Sequence, residues 1–296
     1  MKTNSIFKSI YFKIFVAITL ILAFLYFGNE AKAGSITLNN LDFEIQLNED
    51  GSMDVIENWD ARIYNTNTMF KDIHMDSTKF KEITDVEVYR VNSNEKKTKL
   101  TKINEEMYHV PKDCYYGLIT KSGDFEIAWG VSVDKTETRR YQIKYKVIDA
   151  VKTYQDCSEL YWQLVGDENG VPIDSLNATI YLPKAVKDSS NLRAWAHGPY
   201  NGNVYPKTDK VTLEVDYVEE ETMVEVRIAS TENLFPKNTI IPQNRFNTIL
   251  TEENQWADEA NREREEYINK QKREEMLEAI IAILIVVANI GLSILF

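Results

Sequence analysis

Cysteine and histidine are the side chains of this sequence best suited to covalent or acid–base chemistry, and they are few. Cys114 and Cys157 are the only cysteines, and the histidines are His74, His109 and His197. A nucleophilic cysteine needs a histidine base and a third group that orients it, and no such signature surrounds either thiol. An oxidising compartment would permit a disulfide between Cys114 and Cys157. The alternative, that both thiols stay free, is equally compatible with the sequence.

Metal and carboxylate chemistry have no clear motif. Zinc is disfavoured because the histidines and cysteines follow neither H-x-x-x-H nor C-x-x-C spacing, so we expect no metal and no cofactor. The acidic stretch from Asp156 to Asp174 offers oxygen ligands for calcium, but it lacks the spaced D-x-D-x-D-G loop, which favours a solvated acidic loop. The two carboxylates of a glycoside hydrolase lie close together in the fold but can be far apart in sequence, so the sequence does not identify a catalytic pair.

Aromatic side chains are the best candidates for a binding site. Trp162, Trp195 and Tyr200 lie in an aromatic-rich part of the chain and could stack on sugar rings or flat partner surfaces. The alternative is that Trp162 alternates into a β core. We interpret Ala194–Tyr200, which contains His197-Gly198-Pro199, as an ordered loop.

The charge of the chain excludes some functions. The formal net charge is −12. Residues 1–33 contain four Lys and one Glu, so the rest carries 30 basic and 45 acidic side chains, a net charge of −15. An acidic body disfavours nucleic acid as a partner, since phosphate backbones need a basic footprint.

The N-terminus has the three parts of a secretory signal. Lys2, Lys8 and Lys13 precede an apolar run, 14–27, and the small-residue site Ala31-Lys32-Ala33 follows. This pattern predicts a signal peptide over 1–33 that is cleaved after Ala33, with an uncleaved anchor as the alternative. Either outcome places the following chain outside the cytoplasm.

The C-terminus predicts a membrane anchor on a helical stalk. Residues 279–296 are uncharged and would form a helix of about 27 Å, just long enough to cross a hydrocarbon core, so we expect a transmembrane helix over 277–296. A linker and solvated helical stalk precede it over 236–276, with Thr251 as the expected N-cap. Asn289 is a candidate polar contact to a membrane partner.

The region between these segments is typical of β structure. Alternating apolar residues begin at Ile36, and the pair Asp50-Gly51 predicts a hairpin turn. Further strands are expected at short spacing, among them Ile83–Val91, Phe125–Val133, Leu160–Val165 and Thr222–Ile228. We predict a mainly β fold with one or two antiparallel β-sandwich domains. The first covers 34–150, and 151–235 is either a second sandwich subdomain or a continuation of the first.

Several sequence blocks resemble a bacterial family of predicted membrane proteins. They are GSMDVIENWDARI (51–63), the long block from Arg139 to Pro183 with its Y-x-I-x-Y, ELYW and IYLP segments, AWAHGPYNGNV (194–204) and NQWADEANREREE (254–266). In this order they resemble domain of unknown function 2207 (DUF2207), over about 34–296. The resemblance implies a signal peptide, an exported β domain and a membrane span, and it brings no site residues with it.

Longer members of that family continue past the span into hydrophobic and low-complexity sequence. Either this protein has no cytoplasmic part, or the chain is the front part of a longer membrane protein. We expect a single-pass protein of the bacterial cell membrane whose main domain is extracytoplasmic. We expect it to be a non-enzymatic module that binds or senses an envelope protein or glycan. An envelope glycan hydrolase and a structural subunit of a membrane complex are the alternatives.

Overall fold

The structure is a computed structural model that describes the backbone of residues 34–295 and their side chains apart from Glu278 and 282–295. The chain divides into two units, Met1–Ser35 and Ile36–Phe296, and the second holds the folded β region. The predicted signal peptide, 1–33, lies outside the described residues.

The described chain contains seventeen strands, a short 3₁₀ helix at Ser189–Asn191 and one long α-helix. The strands are β1 (Ser35–Leu47), β2 (Met53–Tyr64), β3 (Thr66–Ile73), β4 (Glu82–Val91), β5 (Lys97–Lys99), β6 (Thr101–Lys102), β7 (Cys114–Ile119), β8 (Phe125–Val133), β9 (Glu137–Ile148), β10 (Val151–Tyr154), β11 (Ser158–Val165), β12 (Leu176–Tyr181), β13 (Leu192–His197), β14 (Gly202–Pro206), β15 (Lys210–Val215), β16 (Val224–Ser230) and β17 (Ile240–Ile241). The helix α1 spans Phe246–Leu295.

The strands form three sheets. An eight-stranded sheet has the order β14-β15-β12-β1-β2-β9-β4-β5, a five-stranded sheet β13-β16-β11-β10-β17, and a four-stranded sheet β3-β8-β7-β6. Most neighbours are antiparallel, as predicted, but β1–β12, β10–β17 and β6–β7 are parallel. The mainly β prediction is therefore confirmed, whereas a purely antiparallel arrangement is wrong, and the sandwich packing stays a prediction.

The first hairpin follows from its sequence. Alternation buries every second residue of β2, from Met53 to Ile63, and exposes or half-buries the others. The turn before β2 requires glycine at position 51. The φ of Gly51 is +81°, and a Cβ added to this residue would lie only 2.3 Å from the Asn238 Nδ2 atom. That amide donates to the Val151 carbonyl at 2.7 Å, so the turn also fixes the start of β10.

One hydrophobic cluster fills the interior of the β region. It takes buried side chains from all three sheets, from Leu38 to Phe235. The eight-stranded sheet also joins strands from both sides of Ala150. The domain boundary near that residue stays a prediction.

Most of the expected strands are present and a few were missed. The predicted strands at Ile83–Val91, Phe125–Val133 and Leu160–Val165 correspond to β4, β8 and β11. By contrast, the prediction of a loop over Ala194–Tyr200 is wrong for residues 194–197. These residues belong to β13 (Leu192–His197), which pairs with β16 along its whole length. A partner strand about 30 residues away supplies those hydrogen bonds, and the Gly-Pro pair lies just beyond the strand end.

The long helix begins earlier than predicted. It starts at Phe246, and the Thr251 hydroxyl donates to the Asn247 carbonyl inside the helix rather than capping it. The Asp156 carboxylate, on the turn between β10 and β11, accepts from the Arg245 amide at 2.8 Å and from the Phe246 amide at 3.3 Å. A side chain distant in sequence therefore satisfies the first amides of the helix.

Beyond its first turns the helix is solvent-exposed, as the predicted stalk requires, from Asn254 to Leu277. Among the residues that the structure describes, no helix combines the length and apolar character needed to cross a membrane. The predicted transmembrane segment, 277–296, falls largely on residues whose side chains lie outside the described part.

Candidate functional site

The outer face of the five-stranded sheet carries the main concentration of buried charge among the described residues. On β16, which lies between β13 and β11, Val224, Val226 and Ile228 pack into the core, so the alternating Glu225 and Arg227 point to the opposite face. Cross-strand pairing places side chains of β11 and β13 on that same face: Tyr161 and Trp195 lie opposite Arg227, and Gln163 and His197 lie opposite Glu225. The first turns of α1 cover this face.

Arg227 is the centre of the site. Its guanidinium is 1% exposed and binds carboxylates from two elements. Nε donates to Glu159 of β11 at 2.6 Å, and Nη1 and Nη2 donate to Glu253 and Glu252 of α1, each at 2.8 Å. Burial disfavours the charged guanidinium, but the carboxylates outweigh it and raise the pKa of Arg227. The guanidinium also lies 5.1 Å from the centre of the Tyr161 ring, a cation–π contact.

His197 is the second cation that links sheet and helix. Its Nε2 lies 3.0 Å from the Glu253 carboxylate, and its Nδ1 lies 3.8 Å from Glu225. The Trp256 ring of α1 packs edge-on against the imidazole, 5.2 Å between centres. Burial lowers the pKa of His197, but the two carboxylates outweigh burial and raise it to about 9. The imidazole is therefore charged at neutral pH.

Glu225 completes the network on the side of the sheet. The Tyr161 hydroxyl donates to it at 2.8 Å and Lys79 Nζ at 3.2 Å. The same ammonium lies 4.0 Å from the centre of the Tyr161 ring. Burial raises the pKa of Glu225, but His197, Lys79 and Tyr161 outweigh it and lower the value to about 2.

The charges of this network balance. The carboxylates of Glu159, Glu225, Glu252 and Glu253 face the permanent cations Lys79, Arg227 and Arg245, and protonated His197 makes the two signs equal. We call these eight side chains the helix anchor. A buried ion pair gives little net stability against an apolar replacement, but removing one partner leaves an uncompensated charge at a cost of about 3–5 kcal/mol. The helix anchor therefore sets one position for the base of α1.

An apolar contact accompanies the ions. Ile249 of α1 is fully buried and clusters with Cys157, just before β11, and with Ala229 of β16. Phe246 and Trp195 pack against this cluster. Apolar burial supplies attraction without direction, whereas the ion pairs fix orientation. Together they dock the first two turns of α1 on the sheet.

The three aromatic residues predicted to bind a ligand have different positions. Trp162 is 3% exposed and packs edge-on against Phe80, 5.5 Å between ring centres, so it belongs to the core and its prediction as a binding residue is wrong. Trp195 packs beside the base of α1. Tyr200 donates to Glu263 of α1 at 2.8 Å and lies 5.8 Å from the Tyr267 ring. The latter two thus contact the helix.

The two cysteines are both free. Cys114 packs beside Tyr116 on the four-stranded sheet, whereas Cys157 packs beside Ile249 under α1. The candidate disulfide is therefore wrong, because the two thiols belong to different clusters. Burial raises the pKa of Cys157 to about 12, which keeps this thiol protonated and unreactive.

Two acidic residues of the stretch considered for calcium, Asp156 and Glu159, have structural roles. Asp156 caps α1 and Glu159 binds Arg227. Within the described part of the chain, no group of three or more His, Cys, Asp or Glu side chains is arranged to hold a metal ion. A carboxylate pair does occur on the four-stranded sheet, where Asp72 lies opposite Glu126 in register. Burial, followed by the neighbouring Glu126, raises the pKa of Asp72 to about 6.

Sequence reasoning missed most of the helix anchor. Arg227, Glu252 and Glu253 were not singled out, and Glu225 fell within an expected strand without comment. One signal was present: the segment VEVRIAS places a Glu and an Arg at alternate positions of an otherwise apolar strand. Two charges on one face of such a strand indicate that partners must cover them.

Comparison with known proteins supplies a family and a weak structural likeness. The family model described as "Predicted membrane protein (DUF2207) N-terminal domain" matches residues 37–230. A search of curated proteins finds no match.

The solved structures that the fold resembles are distant. A putative protease from Parabacteroides distasonis has a TM-score of 0.40 and 11% identity over 67% of this chain and 40% of its own. Yeast LTA4 hydrolase has a TM-score of 0.39 and 11% identity over 66% and 28%. A putative nutrient binding protein from Legionella pneumophila has a TM-score of 0.35 and 11% identity over 65% and 66%. The chain thus spans less than half of the first two proteins, and similarity at this level carries no functional argument.

Proposed function

The chain belongs to the DUF2207 family of predicted membrane proteins, and from this premise we propose that it is a non-enzymatic binding or sensing module. In this proposal the signal-like segment 1–33 directs the β region across the membrane, and the apolar segment 277–296 anchors it in a single pass. The β region then stands at the extracytoplasmic face of the cell membrane and binds an envelope protein or glycan.

The helix anchor is the observation that supports this proposal. A flexible tether would need no buried charge between the β region and its stalk. Here Arg227 and His197 hold the carboxylates of Glu252 and Glu253, so a displacement of the sheet must move the base of α1 with it. A rigid link of this kind suits a module whose orientation on the membrane matters. It also suits a module that transmits a mechanical force from the β region to the membrane segment.

Labelling from outside the cell tests the location. In a Cys114→Ser, Cys157→Ser background, Asn203→Cys places one thiol at an exposed position of β14. A membrane-impermeant maleimide should label it in intact cells, and prior lysis should not increase the signal. Labelling only after lysis would place the β region in the cytoplasm and end the proposal.

Capture of a ligand tests the binding role. The tagged full chain, cross-linked in intact cells and purified under denaturing conditions, should retain a specific envelope protein or glycan. The matched control is Arg227→Met, in which the β region keeps its outer surfaces but loses its fixed relation to the helix. A full chain that retains nothing specific would count against the binding role, and equal retention by the full chain and this control would count against sensing through the anchor.

The hydrolase remains a second candidate because of one observation. Asp72 lies opposite Glu126, and its pKa of about 6 would let it act as a general acid near neutral pH. Retaining and inverting glycosidases, however, hold their carboxyls about 5–10 Å apart, whereas a direct interaction with Glu126 contributes to the raised pKa of Asp72. Release of reducing ends from envelope glycan that Asp72→Asn abolishes would establish this second function, and its absence would exclude it.

A further inference from the structure

A groove on the outer face of the eight-stranded sheet lies apart from the helix anchor. It encloses about 720 Å³, a volume within the range of small-molecule sites. Strands β2, β4 and β9 form its walls with the β5–β6 segment. Lys99, Lys102, Lys144 and Lys146 line it, although the chain as a whole carries a net charge of −12.

A β-bulge produces the concave shape. The register of β4 against β9 shifts between Thr84 and Glu87. Asp85 lies at the bulge with a φ of +55°, a left-handed conformation that is uncommon for a residue other than glycine. The Tyr115 hydroxyl holds the bulge by donating to the Val86 carbonyl at 2.9 Å. Bulges that re-aim side chains occur often beside functional sites.

Two of the four lysines are already paired. Lys99 binds Glu87, which also accepts from the Tyr89 hydroxyl at 2.6 Å. Lys146 lies 3.3 Å from Asp54.

The other two lysines are available to a ligand. Within the described residues, Lys102 and Lys144 have no carboxylate within 4.0 Å. Asp85 is the acidic lining residue left to oppose them. The paired charges cancel, so the groove presents a local excess of positive charge.

We propose that this groove binds the phosphate group of a small phosphorylated organic molecule. Its cations are all ammonium groups, which bind phosphate oxygens as point charges. The volume exceeds that of a single phosphate, and the half-buried side chain of Ile56 lies on the same face as Lys144 and lines the space beside the lysines. This apolar surface would contact the organic part of the ligand.

Calorimetric titration of the full chain in detergent micelles tests the site, with sn-glycerol 3-phosphate as the probe. We expect saturable binding that weakens as salt is added and that inorganic phosphate competes away, whereas glycerol gives no signal. Lys102→Ala/Lys144→Ala should weaken binding by at least about tenfold, which corresponds to about 1.4 kcal/mol. The matched control is Lys135→Ala/Lys207→Ala, which removes two exposed lysines elsewhere and changes the net charge equally.

Three results would overturn the proposal. They are the absence of saturable binding by the parent chain, an equal loss in both double variants, and binding confined to vesicles of anionic phospholipid. The last would indicate attraction to a charged surface rather than a site for a soluble ligand. None of these results bears on the helix anchor, and failure of the labelling experiment would leave the groove intact, so the two proposals fail separately.

Discussion

His197 should make the stability of the protein depend on pH in a defined direction. Folding raises the pKa of His197 from 6.5 to about 9, despite burial, because Glu225 and Glu253 face it. At about 1.4 kcal/mol per pKa unit, this rise stabilises the folded chain by about 3 kcal/mol. Since the folded pKa is the higher one, the contribution is complete below about pH 6.5 and is lost as pH rises to about 9.

The perturbation is His197→Gln, which keeps an amide donor beside Glu253 but removes the titrating charge. We expect the variant to be less stable than the parent by up to about 3 kcal/mol near pH 6, and the two to converge above pH 9. Urea unfolding of the full chain, followed by tryptophan fluorescence across this range, gives the two curves. Their difference cancels the titration of all other groups.

His109→Gln is the matched control. His109 is exposed and, among the described residues, has no carboxylate within 4.0 Å. Its variant should follow the parent at every pH. If the difference between the parent and His197→Gln stays constant from about pH 6 to 9.5, the charged imidazole does not stabilise the fold and the reasoning fails.

Three further predictions concern the same junction. Arg227→Met should lower the free energy of unfolding by about 3–5 kcal/mol, because the buried Glu159 and Glu253 lose the cation that they share, and adding Glu159→Gln should recover part of the loss. Asp156→Ala should cost about 1 kcal/mol by removing the helix cap, whereas Asp156→Asn should cost less. A fragment of residues 34–241 should unfold at lower urea concentration than 34–268, because only the longer one carries the docked turns of α1; equal midpoints would contradict the docking.

The sequence was sufficient to predict strands whose apolar residues alternate and whose turn residues lie next to them in the chain. β2 and the second half of β1 alternate cleanly and Asp50-Gly51 marks their turn, so the hairpin was predicted. β13 was missed because its burial pattern is mostly intermediate, with Leu192 as its single fully buried residue. Its pairing with β16 depends on a segment about 30 residues away, which no local pattern reports.

The helix anchor was beyond local reasoning for a similar cause. Acidic residues at 252 and 253 fit the first turn of a helix that starts at Thr251, so their charge had an adequate explanation in the helix dipole. The actual start at Phe246 moves both carboxylates into the second turn, where they face Arg227. The start itself depends on Asp156, about 90 residues earlier. Because the predicted start of the helix was five residues too late, Glu252 and Glu253 were not recognised as partners of Arg227.

The division of the helix anchor along the chain has a consequence for the family. Its sheet residues, Glu159, His197, Glu225 and Arg227, all lie within the matched region 37–230, whereas Glu252 and Glu253 lie beyond it. In a β region that ended at Ser230, Arg227 would keep only Glu159 as a carboxylate partner from the helix anchor. Ala229, which packs against Ile249 of the helix, would become exposed to solvent. The buried cation is thus meaningful only when the helix is present. The folded unit that this chain requires therefore includes the base of α1, whose Ile249 packs against the sheet.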